Sequence, residues 1–160
     1  MKNLINKIIF FWRRPKIVVP IERDQRMVEK IISQVLGSSS KIEKEILFVD
    51  DVKKVNFSDK KYLVLNFDEG MSNVRKFKEK TWLQILTFGF KEGADFQATD
   101  IKINGDTNFK INYQGKIVPF WLRGAKSHKE IYSVLTAIAT GTALNLNLVE
   151  ISQSLKEERG

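Results

Sequence analysis

Residues 62–101, YLVLNFDEGMSNVRKFKEKTWLQILTFGFKEGADFQATDI, decide how the chain folds. The apolar run Tyr62–Leu65 is too short for a free helix, so it reads as a buried strand, and Leu83–Phe88 has the same form. Between them Met71, Val74 and Phe77 recur at a spacing of three, an apolar stripe on a helix whose other faces carry Arg75, Lys76, Lys78 and Lys80. Two strands joined by such a helix form a right-handed βαβ unit. In open α/β sheets ligands gather beyond the carboxyl ends of the strands. Asn66, Asp68 and Glu69 are therefore the candidate cofactor-binding residues.

Downstream, Phe96–Leu122 holds three alternating segments separated by Asn104-Gly105-Asp106 and Gln114-Gly115, which predicts an antiparallel three-stranded meander. Phe120 and Trp121 are expected to bury one edge of it; beside Arg123 and Lys126 they could alternatively stack bases. The longest helix is predicted over Ser127–Leu144, with Ser127 as N-cap and Glu130 closing a capping box. Ile131, Leu135, Ile138 and Ala139 would face the core, and Ala137, Gly141 and Ala143 would allow close packing. His128 at its start reads as a capping or surface residue. A last short helix is expected over Leu148–Leu155.

Upstream, Met1–Lys16 is basic and amphipathic, with Ile5, Ile8, Ile9 and Trp12 at helical spacing, followed by Arg13 and Arg14. Such a segment docks on its own domain, contacts a membrane surface or binds a partner helix, and these six residues are the candidate contacts. It opens like a signal peptide, but the short apolar core and the lack of a small-x-small site argue against secretion. Lys16–Val19 reads as a strand stopped by Pro20, and Arg26–Leu36 as a helix closed by Gly37. Ile46–Val49 reads as a strand ending in Asp50-Asp51, either a Mg²⁺-holding pair or a polar turn.

At 160 residues the chain can bury one real core, and 42% hydrophobic residues with 11 Phe support a globular domain. With no cysteine there is no disulfide framework, thiolate metal site or cysteine nucleophile. The net charge of +8, from 27 basic and 19 acidic residues, favours anionic partners or is simply a solvated basic surface.

LVLNFDEG followed by ILTFGFKEGADFQATDI resembles the late part of the central domain of the Mur ligases, closest to the type that adds D-alanyl-D-alanine to the peptidoglycan precursor. That family carries an L-N-x-D-D-P strand end, a T-F-G strand end and an A-D-x-x-A-x-D-I entry into a meander. The resemblance continues through KIVPFWLRGAKSHKEIYSVLTAIATGTALNLNLVEIS and covers Lys61–Leu155. It implies an ATP-binding loop, G-x-x-G-K-[ST]-T, at the first strand-to-helix junction. The sequence there is PIERDQRMVEK, with no glycine from Pro15 to Leu36, and Glu22 and Asp24 would repel phosphate. The family's metal-ligand interval has no counterpart in Gly37–Lys61, so no metal ligand or catalytic residue is assigned. The family's helix opening G-x-H-N-x-x-N, whose Asn residues lie near the adenine, falls on Ser127, Lys129, Glu130 and Ser133.

The expected fold is α/β: a mostly parallel sheet with flanking helices, an antiparallel three-stranded meander and a C-terminal helix pair. Residues 1–15 form a basic amphipathic leader and 16–160 a single truncated domain of the Mur-ligase central type. The resemblance implies a cytoplasmic bacterial protein linked to peptidoglycan precursor synthesis, a degenerate non-catalytic binding or accessory module without a cofactor. One alternative is a nucleotide-binding subunit of an ATP-dependent amide ligase, using ATP and Mg²⁺ and completed by a partner chain. Another is a basic module on the inner membrane face; nucleic acid is the weaker partner. A cell-wall ligase or other protein is the expected partner.

Overall fold

The computed structural model describes residues 18–20, 25–36, 62–69 and 84–157. The leader residues Ile5, Ile8, Ile9, Trp12, Arg13 and Arg14, the acids Glu22, Asp24, Asp50 and Asp51, and the helix expected through Met71, Val74 and Phe77 lie outside the described residues.

The described elements are β1 (Val18–Pro20), α1 (Gln25–Leu36), β2 (Tyr62–Asn66), a 3-10 turn (Phe67–Glu69), β3 (Gln84–Gly89), β4 (Phe96–Asn104), β5 (Asp106–Tyr113), β6 (Lys116–Leu122), α2 (His128–Ala143) and α3 (Leu148–Glu157). They form one six-stranded sheet in the order β1-β2-β3-β4-β5-β6. β1, β2 and β3 are parallel, as a βαβ arrangement requires. β4 joins β3 in parallel through only Phe88↔Phe96 and Gly89↔Gln97, and from there β4, β5 and β6 run antiparallel. The meander is thus an extension of the parallel sheet. β1 also runs one residue past its expected end: Pro20 pairs with Val64 as the last residue of its strand, a position where a missing N–H is tolerated.

The turn chemistry sets the meander's register. Gln114 (φ 50°) and Gly115 (φ 76°) both take the left-handed region between the paired Tyr113 and Lys116, the two-residue hairpin whose twist matches the strands. Asp100, at φ 52°, marks an irregularity between Thr99 and Lys102 in β4, and its carboxylate pairs with Lys110 at 3.2 Å.

Val64, Phe88, Phe96, Phe109, Ile111 and Phe120 from the strands meet Val28 and Ile32 of α1, Ile131, Leu135 and Ile138 of α2, and Ile151 of α3 in one core. Leu63 and Leu65 are also buried, on the opposite face of β2 by strand alternation. Phe109 and Phe120, cross-strand partners, stack with ring centroids 5.6 Å apart. Each fully buried Phe contributes about 1.5–3 kcal/mol by area alone. Alternation places Trp121 on the face opposite Phe120, half-buried, so only Phe120 fills the expected core position.

α2 is buried almost all round, and its threonine hydroxyls are satisfied within the helix: Thr136, Thr140 and Thr142 donate to the carbonyls of Tyr132, Thr136 and Ile138. The capping box is formed, with Glu130 N donating to Ser127 Oγ at 3.2 Å and Ser127 N to Glu130 Oε1 at 3.2 Å. At the other end Asn145 sits at φ 70° and Leu146 N donates to Gly141 O at 3.0 Å, a Schellman closure with Asn in the usual glycine place. Gly141 lets α3 approach: a Cβ there would lie 3.2 Å from Ile151 Cδ1. Ser152 Oγ then fastens α3 to the Pro119 carbonyl of β6 at 2.6 Å.

Candidate functional site

The carboxyl ends of β2 and β3 hold the candidate residues. Asn66 closes β2, and its Oδ1 accepts from Asp68 N at 2.9 Å, turning the chain so that Asp68 points across to β3. There Asp68 Oδ2 accepts from Phe90 N at 2.7 Å and Oδ1 from Lys91 N at 3.1 Å. A third donor comes from α2: the Tyr132 hydroxyl reaches Asp68 Oδ2 at 2.7 Å. One carboxylate therefore ties β2, the β3–β4 loop and α2 together, with charge-assisted bonds.

This convergence needs a glycine at position 89. A Cβ on Gly89 would stand 2.6 Å from Asp68 Oδ1 and 2.8 Å from its Cγ, so only a residue without one lets the carboxylate reach the loop N–H groups. The loop is held from its far end too. Thr87 N donates to Asp95 Oδ2 at 2.8 Å, while Asp95 N donates to Thr87 Oγ1 at 3.0 Å. Gln97 Nε2 donates to the Phe90 carbonyl at 3.2 Å.

Aromatic packing surrounds the pair. The Phe90 ring lies between Tyr132 and His128, with centroid distances of 4.7 and 5.3 Å. His128, the first residue of α2, is exposed and packs against this ring, the surface role expected of it. Burial, the hydrogen bond to Asp68 and the negative charges of Asp68 and Glu69 push the Tyr132 hydroxyl well above its ordinary pKa, so it stays a neutral donor. Burial and the charge of Asp95 also raise Tyr113, whose ring stacks on Phe96 at 4.1 Å.

Of the candidate cofactor-binding residues, Asn66 and Asp68 are brought together with Tyr132, and Glu69 is exposed beside them. Divalent Mg²⁺ requires oxygen ligands. Asp68 faces N–H and O–H donors whose hydrogens occupy the directions a cation would take, so as placed it does not fit a metal ligand. Among the described residues no group of three His, Asp or Glu side chains is arranged to hold a metal ion. Tyr132 escaped the sequence reading because it lies 64 positions from Asp68. Its one signal was a polar-tipped aromatic four residues after His128 on a helix otherwise rich in core residues.

On another face of α2, Lys30, Arg123, Lys126 and Glu130 rim a cleft of about 340 Å³ floored by Ile31 and Val134. Buried Thr107 fixes its loop wall, donating to Gly124 O at 2.8 Å and accepting from Lys126 N at 2.9 Å. Glu130 is engaged by the capping box and by Lys126 at 3.9 Å, and buried Ser133 donates to the Lys129 carbonyl at 3.3 Å.

No family model matches the chain. In sequence it is 30% identical over 129 residues to the UDP-N-acetylmuramoyl-L-alanyl-D-glutamate--2,6-diaminopimelate ligase of Listeria monocytogenes serovar 1/2a, across 73% of this chain and 23% of that protein. It is 25% identical over 101 residues to the UDP-N-acetylmuramate--L-alanine ligase of Alkaliphilus metalliredigens, across 62% of this chain and 22% of that protein. The chain thus spans less than a quarter of the length of these relatives. Its fold matches the UDP-N-acetylmuramoylalanyl-D-glutamyl-2,6-diaminopimelate--D-alanyl-D-alanyl ligase of Acinetobacter baumannii with TM-score 0.65 at 13% identity, covering 91% of this chain and 46% of that one. A solved UDP-N-acetylmuramoyl-L-alanyl-D-glutamate--2,6-diaminopimelate ligase matches with TM-score 0.67 at 9% identity, over 92% of this chain and 47% of that one.

The mixed sheet with its helix layer is an α/β domain whose fold matches those of solved Mur ligases. By sequence and fold together the chain belongs to the Mur-ligase superfamily. Its relatives spread over several ligase types, without marking out the D-alanyl-D-alanine-adding one.

Proposed function

We propose that this chain is a non-catalytic Mur-ligase-like domain, a binding or accessory module linked to peptidoglycan precursor synthesis. The observation that carries the reading is the engagement of Asp68. The acid at the carboxyl end of β2 holds Phe90 N, Lys91 N and the Tyr132 hydroxyl in place of a ligand. Glu130 and Ser133, at positions aligned with the family's adenine-proximal Asn residues, are likewise engaged, the Glu130 carboxylate accepting from Ser127 N and the Ser133 hydroxyl donating to the Lys129 carbonyl. ATP-driven amide synthesis must hold nucleotide, metal and two reactants in line. The sequence Pro15–Leu36 contains no glycine, the residue on which the phosphate-wrapping loop of that chemistry depends. The motifs of residues 63–101 favour the D-alanyl-D-alanine-adding ligase as the nearest model for the module's origin.

The test is an assay of the pure protein for ATP hydrolysis and amide-bond formation with peptidoglycan precursors. No turnover above a buffer blank is the expected result. Turnover that is lost in Glu69→Gln, a change at an exposed side chain that leaves the Asp68 hub intact, would overturn the reading.

A second reading is a nucleotide-binding subunit completed by a partner chain, with ATP and Mg²⁺ as cofactors. It is favoured by the position of Asn66, Asp68 and the exposed Glu69 at the carboxyl end of β2, where open α/β sheets gather ligands. Co-purification with a ligase-like chain supports it, and a strictly monomeric protein counts against it.

A further inference from the structure

β6 is one edge of the sheet, yet it is closed to strand addition. Pro119 in its middle has no N–H to offer, and its carbonyl already accepts from Ser152 Oγ of α3. Between β6 and α3 lies an open groove of about 350 Å³, with Ile117, Pro119 and Trp121 on one wall and Val149, Gln153 and Lys156 on the other. Of the three large aliphatic side chains prominently exposed among the described residues, two stand at this groove, Ile117 at 64% and Val149 at 48%. Exposed Lys116 flanks Ile117, and exposed Lys156 lies two helical turns along from Val149. Glu150, the nearest acid on α3, is turned about 100° away from Val149 around the helix, and Asp100 is paired with Lys110.

We propose that this β6–α3 edge rests on an anionic lipid surface. Ile117, Val149 and the Trp121 ring enter the boundary between headgroups and acyl chains, and Lys116 and Lys156 meet the headgroups. A lipid surface suits this edge better than a protein partner because its apolar exposure is small, Ile117, Pro119, Trp121 and Val149, and lies beside two lysines whose charge complements anionic headgroups. A bilayer needs only a few inserted side chains once charge holds the protein close, and exposed Lys116 and Lys156 supply that attraction beside the patch. The contact is independent of the function proposed above and of the leader Met1–Lys16.

The experiment is co-sedimentation of the full chain with vesicles of phosphatidylcholine plus phosphatidylglycerol, and with phosphatidylcholine alone. Binding to the anionic vesicles only, falling as salt rises, is expected. The double variant Ile117→Asp/Val149→Asp should lower partitioning about ten-fold or more, and Lys116→Gln/Lys156→Gln should weaken its salt dependence. Both pairs are exposed, and unchanged thermal midpoints verify that the variants fold. Arg13→Gln/Arg14→Gln is measured alongside. Failure of the full chain to bind anionic vesicles overturns the proposal. So does binding that Arg13→Gln/Arg14→Gln abolishes while both β6–α3 variants partition as the parent does; a protein partner would then be the occupant to seek.

Discussion

The Tyr132 hydroxyl donates to Asp68 Oδ2 at 2.7 Å, joining a helix to a strand end 64 positions earlier in the chain. Bonds to a charged acceptor in a part-buried setting contribute about 1.5–3 kcal/mol. Tyr132→Phe keeps the ring packing with Phe88 and Phe90 and removes only the donor. We expect it to cost about 1–2 kcal/mol, allowing for partial exposure, read as a lower urea midpoint with an unchanged slope. An unaltered midpoint would mean that the carboxylate is held by its backbone donors alone.

Gly89→Ala tests the same hub from the other side. The new methyl would collide with Asp68 Oδ1 at 2.6 Å and push the carboxylate off the Phe90 and Lys91 N–H groups. Overpacking of this kind costs about 1–3 kcal/mol, and the lost bonds add to it. Combined with Asp68→Ala, the glycine change should cost less than it does alone, because the collision has gone; a double-mutant cycle showing strict additivity would contradict the arrangement.

Alkaline pH provides a third test. Tyr132 and Tyr113 are both raised above the ordinary value of 10.0 in the folded protein. Between the unfolded and folded pKa values the folded state binds more protons, so their contribution is fully present below about pH 10 and is lost as pH rises through the folded values. Denaturant midpoints should fall above about pH 10, and Tyr132→Phe should flatten that fall. The same slope in parent and variant would remove Tyr132 as its source.

Ser127→Ala should cost about 1 kcal/mol by opening the capping box at the start of α2. Because α2 is the central core helix, the loss should appear in global stability. Amide exchange confined to the first turn of α2, with no change in the unfolding midpoint, would show that the cap acts only locally.

Much of this was legible in the sequence where a local rule governs. Strand period and hairpin residues marked β2, β3 and the meander, and the S-x-x-E pattern marked the start of α2. What escaped depends on contacts between distant segments. No local pattern announces that Asp68 meets Tyr132, that Thr87 and Asp95 exchange hydrogen bonds around a loop, or that Pro20 pairs with Val64. The meander's fusion with the parallel sheet rests on two residue pairs, Phe88↔Phe96 and Gly89↔Gln97, which periodicity cannot specify. Asn66, Asp68 and Glu69 were placed at the correct end of the strand by the open-sheet rule, but the partners of Asp68 required the tertiary structure.

Whether this Mur-ligase-like domain works without nucleotide chemistry of its own, as we propose, is tested most directly by thermal unfolding of the full chain in titrations of ATP, ADP and Mg²⁺. A ligand at one hundred times its dissociation constant adds about 2.7 kcal/mol, which raises the midpoint of a domain this size by roughly 5–10 °C. For a non-catalytic module the response stays flat up to millimolar nucleotide. A saturable rise of that size, dependent on Mg²⁺ and lost with Glu69→Gln, would contradict it and establish the strand ends at Asn66–Glu69 as a working nucleotide site.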